Sequence, residues 1–354
     1  MRQTLLTEFR QVFGAVRNGS YPYRSRKPKP RVWASYDRAQ MCEAPDVIRL
    51  IGGAVDEASV RIRRGCCRPC WNAYPKPLLA KLILTQQYDG RCNRVGVGLL
   101  RLFRESLGVE ATHAGLSYKT LERGYSDPTV IAILNEVFSL TQRPVSMREE
   151  RFAVDGTCFP TTIKANWESA KARFLKKKPK PEARRIFEKT VMACGTTFKI
   201  IAAFAVASTP YANDSPYLKP ILTQIRQLYD DVSLIVADPA FLSRENCASI
   251  AELGAKARIM PKHNVSMKAK GFKAWRDMLI EFTHETDRWL RDYHTRSIAE
   301  TVSSTMKRVN PTPLRKRLIM RRAVEILARI CVYNLRQLTY LKHTHNIPPQ
   351  FSKP

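Results

Sequence analysis

The chain has 354 residues, enough for about two domains, and its 44% hydrophobic content excludes a disordered polyelectrolyte. Lys and Arg number 60 against 31 Asp and Glu, a formal net charge of +29 that calls for an anionic partner, of which nucleic acid is the usual one. Nine cysteines, an odd number, argue against a disulfide scaffold, and no apolar run reaches the roughly 20 residues that cross a bilayer.

In chain order, MRQTLLTEFRQVFGAVRNGS lacks the apolar core and cleavage site of a signal peptide, so the chain reads as intracellular. Residues 1–74 are irregular in pattern and are taken as a basic N-terminal arm or subdomain, with YPYRSRKPKPRVW (21–33) extended. Cys67 and Cys70 form a CxxC beside Cys66. They are either half of a zinc site, which Cys42 or Cys92 would complete, or free thiols. Residues 75–145 are helical: PKPLLAKLILTQQYDG and VGVGLLRLFRESLG carry apolar residues at spacings of three and four. Ser117 reads as the N-cap of a short helix, and Asp127 with Pro128 as the cap and first turn of the next. Short helices with Lys119 and Arg123 exposed suit a helix-turn-helix DNA-binding domain or a plain helical bundle.

After Arg143–Pro144 the period changes. Strands are expected at 151–157, 189–196 and 199–208, the last two joined by a Gly-containing turn. Between the first two runs KARFLKKKPKPEARR (171–185), the densest basic segment, expected to touch phosphate. A helix follows in PYLKPILTQIRQLYDD. Next come a buried strand at 232–238, a capped helix in SRENCASIAELGA and a strand at 256–262. Residues 273–309, either continuous or interrupted, and 313–342 are helical. This order predicts an α/β domain over 146–345, a mixed sheet flanked by helices in the ribonuclease H-like layout.

Two aspartates stand where strands stop. Asp155 ends FAV before Gly156, and Asp238 ends SLIVA before Pro239. Acids on adjacent strands repel and call for a cation, and three carboxylates can hold two Mg²⁺ roughly 4 Å apart for phosphodiester cleavage. In a helix at about 100° per residue, Tyr293, Arg296, Glu300 and Lys307 fall within a stripe of roughly 60°. Ile298, Val302, Met306 and Val309 lie opposite, free to bury.

YHTRSIAETVSSTMK carries Tyr, Arg, Glu and Lys at the spacing Y-x₂-R-x₃-E-x₆-K. It resembles the YREK signature of prokaryotic insertion-sequence DDE transposases. VDGT and VADPAF look like the two other blocks of that family, in the right order, and the resemblance covers about 150–340. SYKTLERGYSDPTV is more loosely similar to the family's helical N-terminal region. The resemblance implies that Asp155, Asp238 and Glu300 bind two Mg²⁺, with Mn²⁺ able to substitute. They would cleave double-stranded DNA at terminal inverted repeats and transfer the freed 3′-hydroxyl into target DNA. It further implies that Tyr293, Arg296 and Lys307 hold phosphates, that a homodimer forms on DNA, and a cytoplasmic setting. The chain departs from some members in one respect. Only residues 239–299 separate Asp238 from Glu300, which leaves no room for a large β-rich insertion.

Lys262, with His263, is expected at the same sheet edge if strand five lies beside strand four, where it meets DNA or serves a plain loop. The C-terminal stretch reads as one long helix with Arg315, Lys316, Arg317, Arg321 and Arg322 near its start, a cluster suited to the DNA backbone. Its apolar residues, Leu318 and Ile319 among them, are expected to pack on the catalytic domain. The alternatives are a non-catalytic, transposase-derived DNA-binding protein and a ribonuclease H-like nuclease without strand transfer.

Overall fold

The computed structural model describes residues 2–23, 30, 32–63, 74–109, 116–161 and 187–351. Cys66, Cys67, Cys70, the basic stretch 171–185 and residues 24–29 and 31 of the arm lie outside them. Described helices, in chain order, are α1 (Arg2–Arg17), α2 (Trp33–Met41), α3 (Glu43–Arg63), α4 (Lys76–Asp89), α5 (Asn93–Phe103), α6 (Tyr118–Gly124) and α7 (Pro128–Leu140). Then come α8 (Leu218–Leu228), α9 (Arg244–Ala251), α10 (Lys273–His284), α11 (Thr286–Tyr293), α12 (Ser297–Val309) and α13 (Ile319–His345). The strands are β1 (Arg151–Pro160), β2 (Phe187–Gly195), β3 (Ile201–Val206), β4 (Leu234–Ala237) and β5 (Lys256–Ile259).

The chain divides into two compact units, each assembled from separated segments. Met1–Pro30, Ser146–Thr157 and Lys189–Ser303 form the first; Arg31–Val145, Cys158–Glu188 and Ser304–Pro354 form the second. The first unit carries most of a sheet ordered β3-β2-β1-β4-β5. β1 pairs with β4 in parallel up to Val154↔Ala237, and β4 with β5 up to Ala237↔Ile259. β2 and β3 form an antiparallel pair. A mixed sheet in this order, flanked by helices, is the ribonuclease H-like layout expected from the sequence. Every residue of β4 is buried, as a central strand covered on both faces requires. Against the sheet pack α8 on β3, α9 and α10 on β5, and α11 on β4 and β5.

The β2–β3 turn is held by a buried acid. Glu149 accepts hydrogen bonds from the Thr197 and Phe198 amides at 2.9 and 2.8 Å. Burial raises its pKa, against the pull of these amides. Its carboxylate fills the space a side chain at Gly195 would need, which is why that strand ends in glycine.

The second unit is helical. α13 packs against α2, α3, α4 and α7. That corrects the expectation that its apolar face covers the catalytic domain: Val324, Leu327, Ile330, Leu335 and Leu338 are buried among helices of their own unit. The helix also starts later than expected, at Ile319, leaving Arg315, Lys316 and Arg317 in the preceding loop. Leu318 and Ile319, 57% and 46% exposed, do not join the core.

The described part of residues 1–74, read as irregular, holds three helices. The overlooked signal is in α3, where Val47, Ile48, Ile51, Ala54, Val55 and Ala58 recur at helical spacing and are all buried. In the first unit α1 docks on α10, with Phe9 and Phe282 ring centroids 5.6 Å apart. The caps were legible: Ser117 accepts the Lys119 amide, and Asp127 those of Thr129 and Val130.

Candidate active site

Because β1 and β4 are parallel and in register, Val154 and Ala237 end their shared ladder side by side. The residue after each paired run is an aspartate, so Asp155 and Asp238 emerge at the same edge of the sheet. β1 itself continues to Pro160, so Asp155 lies where pairing with β4 stops rather than at a strand end as expected. Asp238 caps the 3₁₀ turn Pro239–Phe241, its Oδ1 accepting the Ala240 amide at 3.0 Å, and the fully buried Phe241 anchors that turn.

The third carboxylate arrives from the helical segment after β5. The stripe from Tyr293 to Lys307 is read on one continuous helix, within a segment expected to be helical with or without an interruption, and the structure breaks it. α11 ends at Tyr293, His294–Arg296 tighten into a 3₁₀ turn, and α12 begins at Ser297. The cause is local. Thr295 donates its hydroxyl to the Asp292 carbonyl at 2.6 Å, and Ser297 to the His294 carbonyl at 3.0 Å, favouring i−3 contacts over regular α-helical ones. The break leaves Glu300 in the first turn of α12, its side chain 52% exposed.

Arg296 joins two of the acids. Its guanidinium lies 2.7 Å from Glu300 Oε1 and 3.4 Å from Asp238 Oδ2. Burial works against the charge on Arg296, but Tyr293, Glu300, Asp238 and Asp155 outweigh it and raise its pKa. For Asp155 a raised pKa disfavours the charged form. Burial pushes its carboxyl up to about 6, with Arg296 and the Gly156 amide opposing and Asp238 and Glu300 adding to the rise. Among the described residues, no three His, Cys, Asp or Glu side chains stand close enough together to hold a metal ion. The donor chemistry fits a hard divalent cation nonetheless, being all carboxylate oxygen. In this arrangement Arg296 supplies positive charge between the carboxylates.

A second pair, which the sequence reading missed, lies behind Asp155. Asp214 and Lys189 form an ion pair at 2.6 Å. A Cβ on Gly156 would meet Asp214 Oδ1 at 3.0 Å, so the glycine after Asp155 lets the strand pass this carboxylate. No local pattern marks the pair, since Lys189 is on β2 and Asp214 precedes α8.

The remaining expected residues scatter. Lys262 follows β5, is exposed, and stands at the same sheet edge as Asp155 and Asp238, because β5 runs parallel to β4. Tyr293 is half-buried at the end of α11, and Lys307 is half-buried two turns beyond Glu300 on α12. In the second unit only Arg317 of the basic trio is exposed. Arg315 is half-buried and donates to the Gly90 carbonyl at 2.8 Å.

Lys316 needs correcting. It is 4% exposed, paired with Glu122 at 2.8 Å and bonded to Asn93 at 2.7 Å, with its ammonium 3.8 Å from the Tyr125 ring centroid. A cation so enclosed serves the core rather than a phosphate. Arg322 is likewise buried, 2.5 Å from Glu188.

A family model for the transposase DDE domain matches residues 146–335, a span containing all three acids. No curated protein and no solved structure gives a significant match. Among the described residues no helix is long and apolar enough to cross a membrane.

Proposed function

Because the chain belongs to the transposase DDE domain family, we propose that it cuts DNA at the ends of a mobile element and joins the freed 3′-hydroxyl to target DNA. Asp155, Asp238 and Glu300 are the carboxylates that hold Mg²⁺, with room in the chemistry for two ions and for Mn²⁺. One observation carries this reading: Arg296 spans Asp238 and Glu300 at the sheet edge from which Asp155 also emerges. Two acids from separate elements are thereby joined through one positive charge, at the edge where the third emerges.

Divalent ions bound there supply Lewis acidity at the scissile phosphate and stabilise the leaving oxygen. The protein's own groups do the rest. The Ala240 amide and the anchored turn orient Asp238. Arg296 and Tyr293 offer a guanidinium and a hydroxyl to phosphate oxygens, and Lys262 and Lys307 supply further charge. Arg317, exposed in the second unit, contacts the DNA backbone, and Arg315 joins it through whichever donors Gly90 leaves free. Two copies act together, since two element ends must meet.

The test is recovery of joint molecules. DNA carrying the coding region with its native flanks is incubated with a target plasmid and Mg²⁺. Covalent junctions that vanish in Asp155→Ala, Asp238→Ala and Glu300→Ala are expected. Cleavage without junctions would point to a nuclease, and binding without cleavage to a non-catalytic descendant.

A further inference from the structure

Trp289 is fully buried in α11, and its indole lies flat against the Tyr293 ring, with centroids 5.2 Å apart and planes 20° apart. The two residues are four apart on one helix, the spacing that brings side chains onto one face. The indole is itself fixed. Phe282 meets it edge-on at 5.0 Å and 86°, and the buried Arg258 guanidinium lies 6.0 Å from its centroid. Arg258 is held by Glu281 at 2.6 Å and Asp292 at 3.6 Å, and Asp292 by Arg151 at 2.5 Å. An anchored aromatic face thus stands directly behind the last residue of α11.

That location matters because α11 ends there. Past Tyr293 the backbone tightens into the His294–Arg296 turn, so no further α-helical turn follows to fix the tyrosine. Stacking on a flat ring sets the plane of Tyr293 while leaving its hydroxyl at the rim, which an aliphatic neighbour of equal volume does not do. Three residues on, Arg296 bridges Asp238 and Glu300.

We propose that Trp289 is a positioning residue for DNA cleavage, its indole fixing Tyr293 and the Tyr293–Arg296 turn against the edge that carries Asp155, Asp238 and Glu300. This rests on the transposase reading above. Trp289 touches no DNA; it acts through Tyr293.

A double-mutant cycle separates this role from ordinary core packing. The readouts are the single-turnover rate of cleavage of DNA carrying the coding region with its native flanks, at saturating protein, and the affinity for the same DNA. Trp289→Leu is expected to lower the rate about 100-fold, the scale of a small misplacement of a reacting group, with affinity lowered no more than by Tyr293→Leu. In a Tyr293→Leu background the same substitution is expected to lower the rate no further. If circular dichroism shows that Trp289→Leu does not fold, Trp289→Met, which keeps more buried volume without the aromatic face, takes its place. An equal loss in both backgrounds, or a wild-type rate in a folded variant, overturns the proposal. A wild-type chain that cuts nothing overturns the reading beneath it, and that result is visible before any variant is compared.

Discussion

Burial holds the carboxyl of Asp155 at about 6, against an ordinary 3.8. A folded-state pKa above the unfolded one means that the folded protein keeps the proton more tightly. The ionised form therefore costs stability, and that cost is absent below about pH 4 and grows as the pH rises through about 6. Asp155→Asn, neutral at every pH, is expected to melt higher than wild type at pH 8 in the presence of chelator. The two melting temperatures should converge near pH 4. A variant that melts lower at pH 8, measured by calorimetry, would contradict the burial reading. At this scale the placement of the candidate acids was legible, because each has a local mark: an apolar run before Asp155 and Asp238, and a helical spacing around Glu300. Lys316, Asp214 and Lys189 carried no such mark. Their environments come from partners distant in sequence, as with Glu122 for Lys316, and spacing along the chain does not encode that.

Elements were legible where a period or a cap announces them, and less so where side chains alter the backbone. Ser117, Asp127 and the buried run of β4 behaved as read. The position of the break at His294–Arg296 has no mark in the apolar pattern, because Thr295 and Ser297 bond back to carbonyls within a segment whose pattern remains helical. The start of α13 was misread for a similar reason. Its expected first turn is a loop held by Arg322, which donates to the Lys316 and Arg317 carbonyls at 2.9 and 2.7 Å while paired with Glu188. Glu188→Ala leaves that guanidinium buried without its carboxylate. It is expected to cost about 3–5 kcal/mol in urea unfolding, whereas Arg317→Ala, at an exposed position, should change little. Similar values for the two would show that the pair does not organise the loop.

For the whole molecule the governing quantity is a net charge of +29. A few of the cations already serve the fold: Lys81, Lys316, Arg258, Arg322 and Arg329 are all buried. Binding to DNA then relies on the exposed remainder, and counterion release makes it depend on salt. If six to ten phosphates are contacted, affinity is expected to fall about 10³- to 10⁵-fold between 50 and 200 mM salt. A flat response in a filter-binding titration would contradict a backbone-dominated interface.

Cleavage by Asp238→Asn bears most directly on the acidic site. The substitution keeps side-chain size and leaves an oxygen for the Ala240 amide, while removing the charge that Arg296 and a divalent ion would share. With DNA carrying the coding region and its native flanks, in Mg²⁺, wild type is expected to cut at the element ends. The variant is expected to retain the same DNA and leave it uncut. Cleavage by the variant at the wild-type rate would contradict the assignment of Asp238, and with it the carboxylate centre.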